Sequence, residues 1–227
     1  MNIYGLQKTS LLDYPEHLSA ILFTGGCNFS CPYCQNSELL HPLSSVPLDN
    51  ENIFSFLRKR AGILEGVVIT GGEPSLASDL TGFIRRIRDL GLKIKLDTNG
   101  THPEQIRNLL DQQLLDYIAM DVKASPEHYC RAAGVSAVPM EEIRRSIDLI
   151  MNSGLPYEFR TTVVKELHDL PHFHQLGQLI SGARLCCLQT FCDGDTVNVQ
   201  GLHPFSENDM RKAAEILQLY VHEVKIR

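Results

Sequence analysis

The sequence predicts an α/β fold built on parallel strands, and three observations carry that expectation. Short β-branched and apolar runs recur along the chain, and segments with helical spacing separate them. Several of the short runs are apolar on both faces, as strands become when helices cover a parallel sheet. Six strand-then-helix units in succession imply right-handed crossovers. Two arrangements satisfy that rhythm, an open doubly wound sheet or part of a (βα) barrel. In both, ligands gather at the C-terminal ends of the strands.

The strand candidates lie at 18–24, 66–70, 92–97, 117–122, 157–164 and 185–190. Between them, Ile53, Phe54, Leu57 and Ala61 share one helical face, and Leu80, Phe83, Ile84, Ile87 and Leu90 share the next. Ile106, Leu109 and Leu110 mark a third helix; Ile143, Ile147, Ile150 and Met151 mark a fourth. Asp79 precedes the second helix where an N-cap belongs, and Gly91 and Gly154 follow helices where C-cap glycines belong. No Pro/Gly/Ser-rich linker interrupts the pattern, so one domain over residues 1–227 is expected.

Composition narrows the function classes. Lys+Arg 21 against Asp+Glu 27 leaves a formal charge of −6, which argues against a protein built to hold nucleic acid or an anionic membrane. The longest apolar stretches, 20–23 and 66–69, fall far short of the roughly 20 residues that span a bilayer. No basic flank and apolar h-region mark the N-terminus, so a cytoplasmic chain with reduced thiols is expected. Seven cysteines cannot pair completely, and cysteine clusters in a reducing compartment bind metals or act in catalysis more often than they staple.

Three of the seven stand together. The first strand candidate runs into Gly25-Gly26-Cys27-Asn28-Phe29-Ser30-Cys31-Pro32-Tyr33-Cys34-Gln35-Asn36, a C-x3-C-x2-C spacing. So short a loop can bring three thiolates to one centre, and soft thiolates select iron–sulfur clusters, zinc or copper(I). A closed structural zinc site wants four ligands, with His41 the nearest nitrogen candidate. A centre with only three protein ligands leaves one position for a substrate.

The cysteine spacing with Tyr33 as its aromatic residue resembles the signature of the radical S-adenosylmethionine (radical SAM) enzymes. The resemblance implies an incomplete (βα)6 TIM-like barrel of parallel strands. It implies a [4Fe-4S] cluster on Cys27, Cys31 and Cys34, with SAM chelating the fourth iron through its amino and carboxylate groups. It extends to later strand ends. Gly71-Gly72-Glu73-Pro74 is similar to the motif that binds the methionine ammonium of SAM. Asp97-Thr98-Asn99-Gly100 and Asp121-Val122-Lys123 resemble the glycyl-radical-enzyme activases. By that resemblance Tyr33, Gln35, Asn36, Gly72, Glu73, Asp121, Val122 and Lys123 bind SAM. Lys123 would face its carboxylate, and Asp97 with Asp121 would hold a cation.

For Arg160 the resemblance suggests the SAM carboxylate or ribose, and a solvent-facing strand start is the alternative. Cys192 stands where some activases carry a His, a departure from the pattern. Residues 1–17 look like an activase lead-in hairpin, with 18–227 as the partial barrel. The implied substrate is a glycine in a large glycyl radical enzyme, an anaerobic ribonucleoside-triphosphate reductase first of all, with reduced flavodoxin or ferredoxin as electron donor. Neither nucleic acid nor membrane is an expected partner. A radical SAM enzyme acting on a small molecule, such as a modified-nucleobase precursor, and a non-catalytic zinc-binding module are the alternatives.

Other signals are weaker. Cys130, Cys186 and Cys187 lack C-x2-C pairing. His168, His172 and His174 read as a solvated helix start, because Pro171 interrupts them and no His-Glu-x-x-His follows. Arg58-Lys59-Arg60 and Arg85, Arg86 and Arg88 read as solvated helix faces.

Overall fold

The computed structural model describes residues 1–42 and 46–227. Eight strands form one sheet: β1 (Ile3–Ser10), β2 (Ser19–Thr24), β3 (Gly66–Gly71), β4 (Lys93–Thr98), β5 (Tyr117–Asp121), β6 (Tyr157–Val163), β7 (Leu185–Thr190) and β8 (Glu223–Ile226). Their order in the sheet is their order in the chain. β1 pairs antiparallel with β2, and every later neighbour is parallel. The helices are α1 (Asn50–Arg60), α2 (Leu80–Arg88), α3 (Pro103–Asp111), α4 (Tyr129–Ala133), α5 (Met140–Met151), α6 (His172–Leu179) and α7 (Glu207–Leu217).

A sheet whose order never reverses has no switch point, so right-handed crossovers place all its helices on one face. That excludes the doubly wound alternative and leaves a partial barrel with β1 and β8 as its edges. The six strand candidates coincide with β2–β7 to within a residue or two at their ends. The sequence reading missed β8 as a strand. Its Glu223-Val224-Lys225-Ile226 offers too little apolar residue to signal one, and its charges suit an exposed edge.

The larger apolar core lies between the sheet and the helices, and a smaller one fills the barrel. Tyr14, Ile21, Val68, Tyr117 and Ala119 are buried there, with Phe23 against them. Tyr14, from the loop joining β1 to β2, meets Tyr117 edge-on at 6.0 Å between ring centres. Gly91 and Gly154 hold φ of +79° and +75° just past α2 and α5, the left-handed geometry that a glycine cap provides. Asp79 sits at the head of α2 but does not cap it. Its carboxylate takes the Met1 ammonium instead.

Candidate active site

The cysteine loop is fastened on both sides by backbone. Gly26, at φ +86°, donates to the Leu39 carbonyl at 2.7 Å, and its own carbonyl accepts from Glu73 N at 2.8 Å. Gly72 N donates to Thr24 O at 2.9 Å. A β-carbon on Gly72 would lie 2.1 Å from the Gly26 carbonyl oxygen, so only glycine lets the two strand ends approach this closely. Asn28 continues the belt: its amide donates to Thr101 Oγ1 at 2.8 Å, and its carbonyl accepts from Asn99 Nδ2 at 2.8 Å. On the far side Ser30 N donates to Ala133 O at 2.9 Å. Gly134 closes α4 at φ +67°, where a β-carbon would strike the Ser30 carbonyl at 2.0 Å.

Cys31 is buried, and Cys27 and Cys34 are half-buried; all three are free thiols. Burial pushes the Cys27 thiol up to about 12, and it also raises Cys31 and Cys34. As free thiols they are therefore neutral, and a metal centre must displace their protons to bind. Phe29 N points at Cys27 Sγ at 3.4 Å, a donor able to stabilise a thiolate.

The loop forms one wall of a cavity of about 400 Å³ at the C-terminal ends of the strands. Cys27, Cys31, Cys34, Tyr33, Gln35, Asn36, Gly72, Glu73, Asp121 and Lys123 all line it. Val122 does not. It alternates away from Asp121 and Lys123 into the helix-side core, where it is fully buried, and its carbonyl accepts from Thr161 Oγ1 at 2.7 Å.

Opposite charges alternate across the cavity floor. Lys95 Nζ meets Asp97 Oδ1 at 2.6 Å, and Arg160 Nη1 meets Asp97 Oδ2 at 3.1 Å. Arg160 Nε reaches Asp121 Oδ1 at 2.8 Å, and Lys123 Nζ reaches Asp121 Oδ2 at 2.9 Å. Burial pulls both aspartates upward, but Arg160 with Lys95 or Lys123 outweighs it, so both stay below the usual carboxylate range. Arg160 therefore does not face solvent. It is the cation between Asp97 and Asp121, the position expected for a bound ion. Arg160 and Lys123 line the cavity with the two aspartates, and Lys95 backs Asp97 from outside that lining.

Glu73 is 2% exposed, and its carboxylate is held mainly by the protein. Oε1 accepts from Ser75 N at 3.0 Å, Ser75 Oγ at 2.5 Å and Thr98 Oγ1 at 2.7 Å. Among the described residues Oε2 accepts only from Asn99 N, at 2.6 Å, so this oxygen keeps room for a ligand ammonium. Burial raises the Glu73 carboxyl against the pull of those donors. The Tyr33 hydroxyl is buried beside the cysteines without a partner among the described residues, and Lys123 Nζ lies 6.0 Å from its ring centre. Gln35 is exposed, and its Nε2 donates to the Cys192 carbonyl at 3.1 Å.

Sequence reasoning missed Thr162, Gln189 and Thr190, which also line the cavity. The signal was available for the first two: Thr162 stands two residues beyond the inward Arg160, and Gln189 pairs with it across the sheet. His168 corrects another expectation. Rather than solvated, it is buried, with Nε2 2.9 Å from the Lys123 carbonyl and Nδ1 3.1 Å from Val164 N. A ring that donates from Nε2 and accepts at Nδ1 satisfies both contacts when neutral. Cys186 and Cys187 lie in the core, and Cys187 Sγ contacts Glu158 Oε2 at 3.3 Å.

The donor set fits an iron–sulfur cluster better than a single ion. Among the described residues, no three His, Cys, Asp or Glu side chains converge to hold one metal ion. A cubane cluster asks instead for one thiolate at each of three iron corners, which lets the thiols stand farther apart.

Residues 21–172 match the Radical SAM superfamily. The chain belongs to that superfamily and is a radical SAM enzyme whose cofactors are a [4Fe-4S] cluster and SAM. Among individual proteins, it is 32% identical to "Putative glycyl-radical enzyme activating enzyme MJ1227" of Methanocaldococcus jannaschii, over 99% of this chain and 95% of that one. It is also 28% identical to a GTP 3',8-cyclase of Campylobacter curvus, over 66% of this chain and 47% of the cyclase. Its fold is similar to Streptococcus suis SuiB bound to the precursor peptide SuiA, with TM-score 0.70, 13% identity, and coverage of 91% of this chain and 48% of SuiB. The chain thus spans about half the length of both the cyclase and SuiB. Among the described residues no helix is long and apolar enough to cross a membrane.

Proposed function

We propose that this chain is a glycyl-radical-enzyme activase, working on a glycine in the backbone of a partner enzyme. The observation that carries the reading is the extent of its likeness to the M. jannaschii protein, which runs through 99% of this chain and 95% of the other. A cavity at the open end of a partial barrel suits the reading, since a polypeptide loop must enter from outside.

Cys27, Cys31 and Cys34 would hold the cluster through three corners. When bound, the cluster and SAM supply reductive cleavage of the sulfonium carbon–sulfur bond, yielding methionine and a 5′-deoxyadenosyl radical. Around that chemistry the protein binds and orients. Glu73 Oε2 offers an acceptor to the methionine ammonium, and the Lys123 ammonium, a cavity-lining cation, suits its carboxylate. Gly72 lets the ends of β2 and β3 close against each other, which sets the wall that SAM would approach. Tyr33, Gln35 and Asn36 line the rim beside the cluster. The radical so supplied would take a hydrogen atom from the glycine α-carbon, giving 5′-deoxyadenosine and a glycyl radical. The favoured partner is an anaerobic ribonucleoside-triphosphate reductase, with reduced flavodoxin or ferredoxin delivering the electron.

A second reading has its own support. The likeness to GTP 3',8-cyclase favours a small-molecule substrate, a purine nucleotide first of all. Family membership overturns the zinc-module alternative. One experiment separates the two surviving readings. The reconstituted enzyme is incubated anaerobically with SAM, reduced flavodoxin and either the reductase or GTP. The activase reading predicts a glycyl radical signal by electron paramagnetic resonance with the reductase and no consumption of GTP. GTP turnover without a glycyl signal would install the second reading.

A further inference from the structure

We propose that residues 192–200 form a strap that holds the cysteine loop in register for its cluster, with Asn198 as the positioning residue. The segment leaves the end of β7 and crosses to the loop that follows β2, bridging the open side of the barrel. Most of it is exposed, and Val197, 5% exposed, anchors its middle. Its contacts reach the cluster loop through both backbone carbonyls and side chains. Asn198 N donates to Cys34 O at 3.1 Å, and Val199 N donates to Pro32 O at 2.8 Å. Asn198 Nδ2 lies 3.3 Å from Ser30 O, 3.2 Å from Ser30 Oγ and 3.3 Å from Cys31 O. Farther along, Ser37 Oγ donates to Thr196 O at 2.6 Å, and Gln35 Nε2 donates to Cys192 O.

The loop has little hold on itself. Between Cys27 and Cys34 one backbone bond is internal, Cys34 N to Cys31 O at 3.0 Å. The strap therefore supplies donors to the carbonyls of Ser30, Cys31, Pro32 and Cys34, which include two of the three cluster ligands. It does so from outside, because no residue of 192–200 lines the cavity. Peptide planarity adds an electrostatic consequence. In a trans peptide the carbonyl and the following N–H point in opposite directions. Drawing the Ser30, Pro32 and Cys34 carbonyls toward the strap turns the N–H groups of Cys31, Tyr33 and Gln35 the other way. Amide N–H groups turned to one side in this way favour an anionic centre. The strap thus contributes both ligand spacing and donor dipoles, and it does so whichever substrate the enzyme takes.

The test uses the full-length enzyme, reconstituted anaerobically, with three variants. Asn198→Ala removes the side-chain donors, Asn198→Asp places an acceptor against three oxygens, and Ser37→Ala frees the other end of the strap. Loss of several neutral hydrogen bonds predicts about tenfold faster release of iron to a chelator for Asn198→Ala, and faster still for Asn198→Asp. Ser37→Ala should give a smaller acceleration, about threefold. In samples matched for iron content, the midpoint potential of the Asn198→Ala cluster should fall and its reduced spectrum should change, a readout that mere loss of stability would not move. Chelator release and potential equal to those of the parent in Asn198→Ala would overturn the proposal. Should that variant not fold, parent-like release in Ser37→Ala would overturn it equally.

Discussion

Replacing Gly72 with alanine tests how the cavity wall is built. The added β-carbon would sit 2.1 Å from Gly26 O and 2.7 Å from Gly26 C, both backbone atoms with no rotamer to yield. Restoring ordinary contact requires the two strand ends to part by about 1 Å, which stretches the 2.8 Å bond from Glu73 N to Gly26 O beyond hydrogen-bonding range. The 2.9 Å bond from Gly72 N to Thr24 O shares that displacement. Two lost backbone bonds at about 1 kcal/mol each, with overpacking of about 1–3 kcal/mol, give about 3–5 kcal/mol. Against a total stability of about 5–15 kcal/mol for a domain, that is a large fraction. Urea denaturation of the metal-free protein, followed by circular dichroism, measures it, and iron content after reconstitution reports the cysteine loop. Gly82→Ala is the control. Gly82 is exposed on α2 with nothing within 4 Å of its β-carbon position, so the change should stabilise by about 0.5–1 kcal/mol. A Gly72→Ala protein that melts like the parent and takes up the same iron would show that the close approach of the two strand ends is not needed.

Three further outcomes follow from the cavity floor and its surroundings. Arg160→Ala strands the Asp97 and Asp121 carboxylates with one cation each and should cost about 3–5 kcal/mol in urea denaturation. Asp97 and Asp121 have folded pKa values below their unfolded value of about 3.9. Their contribution is therefore complete above about pH 4 and lost as pH falls through the folded values, and Asp97→Asn should flatten that acid limb of a melting-temperature profile. Burial lowers His168, helped by the charges of His172 and His128, below its ordinary value of about 6.5. The unfolded chain then binds the proton first, so stability declines as pH drops below about 6.5, and His168→Gln should remove that slope.

The parts of this fold that the sequence displays are those whose residues answer to local rules. β2 to β7 are short and largely apolar on both faces, so each announces itself. β8 does not, because an edge strand with Glu223 and Lys225 carries no apolar run. The cysteine loop and the Gly71-Gly72-Glu73-Pro74 turn are local in the chain, and both reach the cavity as the spacing implied. The Lys95–Asp97–Arg160–Asp121–Lys123 chain was not legible, because it depends on the register of three strands. Arg160 read in isolation looks like a costly residue in an apolar strand, yet Asp121 stands directly across from it. Val122 fell on the wrong side of a simple alternation that its two neighbours obey. His168 was hidden because its Nε2 partner, the Lys123 carbonyl, lies 45 residues away. The strap was hidden for the same reason: Asn198 reaches Ser30 across 168 residues.

By the proposed reading, three thiols at the end of β2 would hold a cluster whose remaining iron binds SAM within the strand-end cavity. Electron paramagnetic resonance of the dithionite-reduced protein, recorded with and without SAM, tests it most directly. The parent should give a reduced-cluster signal that changes when SAM is added, with 5′-deoxyadenosine formed in the same sample, and Cys31→Ala should lose both. A parent whose signal ignores SAM, or a Cys31→Ala variant that still cleaves SAM at the parent rate, would contradict it.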